Sequence, residues 1–477
     1  MSAYDVAIIG AGVVGAAIAR ELSRYNLSIA ILDKENDVCC GASKANSAIV
    51  HAGYDPEEGT LMARFNLEGA AMYESMCREL SVPYKVNGAL VVALDDEQIE
   101  HIHHLKQRGG HNGVPRLEIL ATDELLAREP AVNPEAKGAL WVPTSGIVDP
   151  MLLTISLVEN AVANGAECIL NFDVCAIEHI HGGYNISSKN SSITAGYVIN
   201  AAGVNSDKIH NMVSPPAFRI TPKRGQYFML DKTVSGIVSS TIFPCPSKAG
   251  KGMLVAPTVH GNAMLGPSSD NPLNAEDLAT TEDVLDNIRS NVRQLVPNVR
   301  VWNCIRTFSG MRAEPDTGDF IIGEASGAPG FIDVAGIKSP GLTAAPAIAL
   351  HVVSILETAG LTLNKKSDFN PILERKIFND MPTQEQEAML KANPMYGRII
   401  CRCENVSEGD ILDAIKRSPG ATTVDGVKRR CRAGMGRCQG GFCGPKVQHI
   451  LARELSKPLE DIIMEKNSSY ILTGKTK

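Results

Sequence analysis

The sequence predicts an α/β (α+β) protein with a parallel-sheet core, β-rich insertions into that core, and a small cysteine-bearing module towards the C-terminal end. Three observations predict it. The first is the order "DVAII" (5–9), "GAGVVG" (10–15), "AAIARELSRY" (16–25) and "SIAILD" (28–33): strand, glycine turn, helix, strand. The second is a set of strand-like runs, "GALVVAL", "GQYFML" and "GMLVAP", within about 83–144 and 216–300. The third is that, of twelve cysteines, five (Cys401, Cys403, Cys431, Cys438 and Cys443) are crowded together late in the chain.

The first unit carries chemistry as well as structure. Gly10, Gly12 and Gly15 form G-x-G-x-x-G between a strand and a helix. The first glycine permits the tight turn and the second lets backbone approach a pyrophosphate. The third lets helix and strand pack closely. Asp33 ends the second strand, where a carboxylate can hydrogen-bond ribose hydroxyls. No second G-x-G-x-x-G occurs, so one dinucleotide site is expected. The small-residue loop "GASKANSAIVHAGYDP" (41–56) follows, in which backbone can lie against a flat cofactor. Near the end of the core, "FIDVAGIKSPGLTAAPAIAL" (331–350) reads as strand, turn and helix, with a helix N-terminus able to hold negative charge.

The 477 residues suffice for two or three domains with their own cores. A charged fraction of 21% and a hydrophobic fraction of 44% are ordinary soluble-protein values, so neither disorder nor a membrane bundle is expected. The net charge of −7 argues against nucleic acid as a partner. The apolar start, Val6 to Ala19, follows Asp5, lacks a basic flank and is broken by glycines, so it is not read as a signal peptide. Gly341 to Leu356 contains Pro346 and His351 and is expected to be too short to span a bilayer. A cytoplasmic protein is expected, with no direct membrane insertion and any membrane association made through a partner.

The turn-rich stretches "WVPTSGIVDP" and "PSSDNPLN" punctuate the core, and a polar segment with Pro371, Pro382 and Pro394 reads as a linker. The expected division is a core at about 1–82, 145–215 and 301–363, and insertions at 83–144 and 216–300. A linker at 364–396, a module at 397–455 and a tail at 456–477 complete it. "HIHHLKQRGGH" (101–111) reads as a solvated helix ending at Gly109–Gly110, not as a metal site. Cys39–Cys40 is not expected to be a redox pair, because adjacent cysteines bridge only with strain.

In the module, "CRC" and "CQGGFC" suggest metal or redox chemistry, since a reducing cytosol disfavours disulfides. Zinc knuckles are usually spaced C-x₂₋₄-C, which the first pair does not match. Glycines between the later cysteines would let backbone N–H groups reach cluster sulfurs. Lys428, Arg429, Arg430, Arg432 and Arg437 would offset a tetrathiolate charge, or form a solvated face. Zinc and iron–sulfur both stay open at this level.

"YDVAIIGAGVVGAAIARELS", "NSAIVHAGYDP", "GIVDPMLLT", "VINAAGVNSD", "SGMRAEPDTGDFIIG" and "VAGIKSPGLTAAPAIA" together resemble the D-amino acid oxidase-like flavoprotein superfamily. Within it they are similar to the glycerol-3-phosphate dehydrogenase/oxidase and L-2-hydroxyglutarate dehydrogenase group, over residues 3 to about 358. The resemblance implies FAD, a glutathione-reductase-like Rossmann domain and an inserted antiparallel β-sheet substrate domain over the flavin. It places His51 beside the flavin as the base that takes a hydroxyl proton, a task that suits an imidazole. It makes Arg312 the bidentate anchor for a substrate carboxylate or phosphate. Lys251 matches a substrate lysine of related oxidases, and Lys338 and Ser339 start the helix beside the ring. For FAD it adds Lys34, Ser43, Asn46, Ser47 and, through its backbone, Val174. Ala202, Gly203, Gly336, Gly341, Leu342 and Thr343 complete that set. Arg224 and Arg306 are expected in structural ion pairs.

Residues 397 to about 453 resemble the bacterioferritin-associated-ferredoxin-like [2Fe–2S] domain, a small helical domain. That resemblance makes Cys401, Cys403, Cys438 and Cys443 the ligands and leaves Cys431 spare. The function implied is a dehydrogenase oxidising glycerol 3-phosphate to dihydroxyacetone phosphate. Its electrons would leave through the cluster to a quinone, a small electron-transfer subunit or a second flavoprotein, an NAD-binding one included. Two alternatives stand beside it: a dehydrogenase of L-2-hydroxyglutarate, another 2-hydroxy acid or an amino acid, and a redox or iron-sensing protein without turnover.

Overall fold

The computed structural model describes residues 3–246 and 252–474. The strand–turn–helix–strand unit opens an eight-stranded sheet. Ala3–Ile9 is central, with Ile29–Leu32 and Ser192–Asn200 parallel to it on either side. Glu167–Ile169 extends one edge in parallel, and Phe331–Ala335 lies parallel to the far end of Ser192–Asn200. Complete burial of Ile29–Leu32 and Phe331–Ala335, apolar apart from Asp333, is what a parallel sheet covered on both faces demands. Helices Val13–Leu22, Leu61–Glu79, Pro150–Ala163 and Gly341–Thr358 share one core with its strands.

Gly341–Thr358 is longer than the sequence suggests. At 18 residues it is long and apolar enough to cross a membrane. It is instead a core helix, with Ala344, Ala345, Ile348, Val352 and Leu356 buried against Val13–Leu22 and Leu61–Glu79.

The second sheet also has eight strands. Its order is Cys304–Pro315, Ile220–Leu230, Ala263–Gly266, Leu254–Pro257, Thr241–Pro244, Ala89–Ala93, Gly138–Val142, Glu118–Ala121. It is antiparallel except where Thr241–Pro244 runs parallel to Ala89–Ala93, which joins the two inserted segments side by side. Cys304–Pro315 belongs to this sheet through an extended register with Ile220–Leu230, so the insertion runs past residue 300. His260, on the hairpin between two of its strands, meets Asp149 at 2.8 Å, and Asp149 also caps helix Pro150–Ala163. That pair fastens the second sheet to the first domain.

Residues 101–111 show why a pair of glycines does not always end a helix. Helix Asp96–His111 runs through Gly109 and Gly110. A Cβ on Gly109 would stand 2.9 Å from Tyr54 Cβ, so this glycine answers a close approach and not a stop.

The C-terminal module is a two-stranded ribbon, Ile399–Cys401 with Val406–Ser407, and helices Glu408–Lys416, Val424–Cys431 and Gly444–Glu454 around their own core. The segment 364–396 is not simply extended: it carries helix Thr383–Ala392, which buries no residue. The segment after 456 does not behave as a tail. Ile462 is buried in the module core, and Asn36 Nδ2 donates to Glu465 O at 2.8 Å. Lys44 pairs with the Glu465 carboxylate, and Asn467 Nδ2 donates to Asn171 Oδ1 at 2.9 Å. These residues lie across the loop that follows Asp33.

Candidate active site and cysteine centre

The dinucleotide seat begins at Gly10, whose φ of 111° turns the chain out of the first strand. A Cβ there would stand 2.4 Å from Ala201 O, so the Gly10 turn and the Ala202–Gly203 turn are in contact. Ala11 N and Glu35 N donate to the two carboxylate oxygens of Asp33 at 2.7 and 2.9 Å. Burial nevertheless pushes Asp33 up to about 6. Phe172 N donates to Asp33 O at 2.8 Å, which brings the segment holding Val174 alongside. Ser43 Oγ accepts from Val13 N at 2.8 Å, at the start of the first helix. Asn46 is spent inside its own loop, donating to Ala42 O and Ser43 O and accepting from Ala48 N. Lys34 is exposed.

The seat fits a flavin dinucleotide. The first helix offers an N-terminus at Gly12, which has no side chain to cap it, and Asp33 is a half-buried acid where the fingerprint expects a ribose. Over the loop lies the second sheet. Tyr227 OH is 3.3 Å from Ser47 Oγ, and Tyr227 stacks on Phe308 at 4.7 Å. A Cβ on Gly310 would reach 1.9 Å from Ala45 O, so only glycine lets this strand approach so closely. Tyr227, Phe308 and Gly310 are absent from the expected set. The adjacent aromatics of "GQYFML", which a strand sends to opposite faces, are the signal that could have found the first.

His51 follows the short strand Ile49–Val50 and is buried. Its N donates to Thr343 Oγ1 at 2.8 Å and its O accepts from Asn66 Nδ2 at 3.0 Å. The ring stacks on Tyr54 at 4.8 Å and meets Phe243 of the second sheet edge-on at 5.8 Å. His51 and Thr343 are thus brought together at the start of Gly341–Thr358, with Leu342 O taking the Tyr73 hydroxyl. Lys338 and Ser339 stand in the turn before that helix, whose cap is Pro340, and Lys338 is paired with Glu314. Gly336, φ 65°, turns the chain out of the preceding strand. Lys251 lies outside the described residues.

Arg312 and Arg224 sit on neighbouring strands and differ in their partners. Arg224 is held by Asp270 at 2.7 Å and Asp277 at 2.9 Å. Arg312 is half-buried, donates to Ser268 O at 2.9 Å, and pairs with no carboxylate among the described residues. A partly buried guanidinium with donors left over suits an anion.

The module brings four of its cysteines together. Cys403 and Cys438 Sγ are 3.7 Å apart. The Cys443 thiol donates to Cys401, which with backbone donors at Gly434, Glu404 and Cys403 holds Cys401 down at about 6. The Phe442 N–H, with Gly440, holds Cys438 below its ordinary value against burial. No three His, Cys, Asp or Glu among the described residues surround one point. Two pairs of thiols are what a two-iron centre needs, because each iron takes only two protein ligands. Cys431 stands apart: its thiol donates to Val427 O and burial pushes it up to about 12.

Only Arg437 of the basic run is exposed, and each member has a carboxylate partner. Lys428 pairs with Asp425, Arg432 with Glu404 and Arg437 with Asp231. Arg429 and Arg430 are buried, and both close on Asp37, four residues beyond Asp33. Arg430 makes two contacts of 2.7 Å to the Asp37 oxygens and Arg429 one of 2.8 Å. The helix that leads into the thiol loop is therefore anchored on the loop that leads out of the ribose position.

Comparison with known proteins agrees with this division. Residues 5–355 match the FAD dependent oxidoreductase family model, and residues 399–453 match the BFD-like [2Fe-2S] binding domain. A glycerol 3-phosphate dehydrogenase of Caloramator mitchellensis is 49% identical over 476 residues, 99% of each chain. The mitochondrial L-2-hydroxyglutarate dehydrogenase of Homo sapiens is 32% identical over 56% of this chain and 61% of its own. The dithionite-reduced L-α-glycerophosphate oxidase of Mycoplasma pneumoniae with FAD bound superposes with a TM-score of 0.75 at 32% identity, covering 79% of this chain and all of its own. The chain belongs to the FAD dependent oxidoreductase family and carries a BFD-like [2Fe–2S] domain behind it.

Proposed function

We propose that the protein oxidises sn-glycerol 3-phosphate to dihydroxyacetone phosphate and passes the electrons on through its C-terminal module. The observation that carries this reading is Arg312: a half-buried guanidinium on the sheet facing the flavin loop, with no carboxylate partner among the described residues. The likeness to the Caloramator dehydrogenase supports it, since that alignment spans both domains.

FAD, when bound, accepts the hydride, and a [2Fe–2S] cluster passes electrons singly. Arg312 binds the phosphate and orients the carbinol carbon. His51 takes the hydroxyl proton as hydride leaves the same carbon, its backbone fixed by Thr343 and Asn66. Tyr54 and Phe243 wall the imidazole from water. The thiols of Cys401, Cys403, Cys438 and Cys443 would hold the cluster. The chain has one dinucleotide fingerprint, so any NAD(P) reduction needs a partner subunit, with a quinone as the other acceptor, and a cytoplasmic site of action goes with this reading.

Anaerobic mixing with a substrate panel tests it. Glycerol 3-phosphate should bleach the flavin and then the cluster absorbance. Bleaching by L-2-hydroxyglutarate or an amino acid alone would move the enzyme to the second reading. No bleaching by any of them would leave only the sensor reading.

A further inference from the structure

The edge of the module that exposes its thiols bears features that neither flavin nor substrate requires. Phe442, between Cys438 and Cys443, is 84% exposed, and Cys403 is exposed beside it. Trp302, on the turn Val301–Asn303 of the second sheet, is 73% exposed. Hydrogen bonds tie these two places together. Asp231 N donates to Asn303 O at 2.9 Å, and the Asp231 carboxylate accepts from Arg437 at 3.0 and 3.1 Å. Arg306 Nη1 donates to Gln439 Oε1 at 3.4 Å. The thiol loop and the rim of the sheet therefore form one continuous face.

That face is basic in a chain whose net charge is −7. Arg306, Arg402, Lys446, Arg437 and Lys232 are all exposed on it. Two acids beside it are paired: Asp231 with Arg437, and Glu404, whose side chain is almost fully buried, with Arg432 and Lys232. Exposed Trp and Phe within a ring of Arg and Lys have the composition of a protein interface, where aromatics anchor and charges steer. An anionic bilayer is a poorer occupant, since surface binding needs an amphipathic element with a broad apolar side. Here the two aromatics sit on a loop and a short turn, and the cations come from a strand, a second short turn, loops and the start of one helix.

We propose that this face docks a small acidic one-electron carrier protein, with Phe442 and Trp302 as its anchors. The proposal rests on the reading that electrons leave by the module. Oxidising one substrate hydroxyl releases two electrons and two protons. Two oxidised carrier molecules take one electron each, and the protons pass to solvent.

The test uses the holoenzyme with two one-electron acceptor proteins, an acidic flavodoxin and basic cytochrome c, and the small dye phenazine methosulfate as control. Flavodoxin should be reduced faster than cytochrome c at low salt, with kcat/KM falling at least tenfold between about 20 and 300 mM salt as the charges are screened. Trp302→Ser and Lys446→Glu should each lower kcat/KM for flavodoxin roughly tenfold or more, leaving dye reduction and cluster absorbance as in the parent. Trp302 lies outside the module, so its variant separates docking from folding of the thiol loop. The proposal is overturned if cytochrome c is preferred, if flavodoxin is not reduced, or if both variants reduce it at the parental rate. It is also overturned if the variants lose only co-sedimentation with phosphatidylglycerol vesicles, which would make the face a membrane contact. A Cys403→Ser enzyme that lacks the cluster yet reduces flavodoxin normally would refute the exit route itself, a separate failure.

Discussion

Replacing Asp37 by Asn isolates the joint between the two halves of the electron path. Asp37 is 1% exposed and accepts three guanidinium hydrogen bonds of 2.7 to 2.8 Å, with Val38 N as a fourth donor. The amide keeps the shape but removes the charge, leaving Arg429 with Asp425 as its acid and Arg430 with only the carbonyls of Gly426 and Pro419. Removing one partner of a buried pair costs about 3–5 kcal/mol, which is roughly two to nearly four decades in the ratio of docked to undocked module. Limited proteolysis of the 364–396 segment, whose helix Thr383–Ala392 buries nothing, reads that ratio directly. Cleavage there should accelerate at least tenfold in the variant. Burial by itself raises Asp37, but Arg430 and then Arg429 outweigh it and hold the carboxyl below its ordinary value. Its contribution is therefore present above the unfolded value of about 3.9 and lost as pH falls towards the lower folded value. The parent should become protease-sensitive in that acid window, whereas the variant should show no such transition. Equal cleavage of parent and variant at pH 7 would refute the joint.

Other outcomes follow from the same geometry. His51→Asn should slow anaerobic flavin reduction by glycerol 3-phosphate about 10²–10⁴-fold with the flavin still bound, measured by stopped-flow absorbance. Cys438→Ser should abolish the cluster's visible absorbance and iron content, while Cys431→Ser, whose thiol donates to Val427 O inside its own helix, should keep both. Asp33→Asn should act with opposite signs on flavin and fold. FAD affinity should fall by titration, but the flavin-free protein should be stabilised at neutral pH. The folded Asp33 value of about 6 is raised, so its contribution is present below the unfolded value and lost as pH rises through about 6. Thermal unfolding of the flavin-free parent across that window, flat in the variant, checks it.

What the sequence revealed was local chemistry. Gly10, Gly12, Gly15 and Asp33 could be read because one strand–helix–strand unit contains the whole argument. The thiols could be singled out because they cluster among glycines, while spacing alone left zinc and iron–sulfur open and the resemblance named the four ligands. The joint was not legible. Asp37 and Arg430 are almost a full chain apart, and each looks like a solvated charge until burial pairs them. The same holds for Arg312 against Arg224, which only their partners distinguish. The sheet boundary at Cys304–Pro315 was missed because an edge strand that spans from one domain to another has no punctuation in its own residues. Gly109 misled because a glycine that admits Tyr54 looks the same in sequence as one that ends a helix.

The segment beyond residue 456 lies on the loop between Asp33 and Ser43 through Asn36, Lys44 and Asn171. The cofactor seat is thus lined by residues of one domain and braced by a segment that packs with another. The seat can reach its final form only when both are in place. A flavoprotein made without this module would present the same loop to water, with Asp37 and Lys44 needing new partners. Moving the module between proteins, or removing it, is therefore a change to the flavin domain as well.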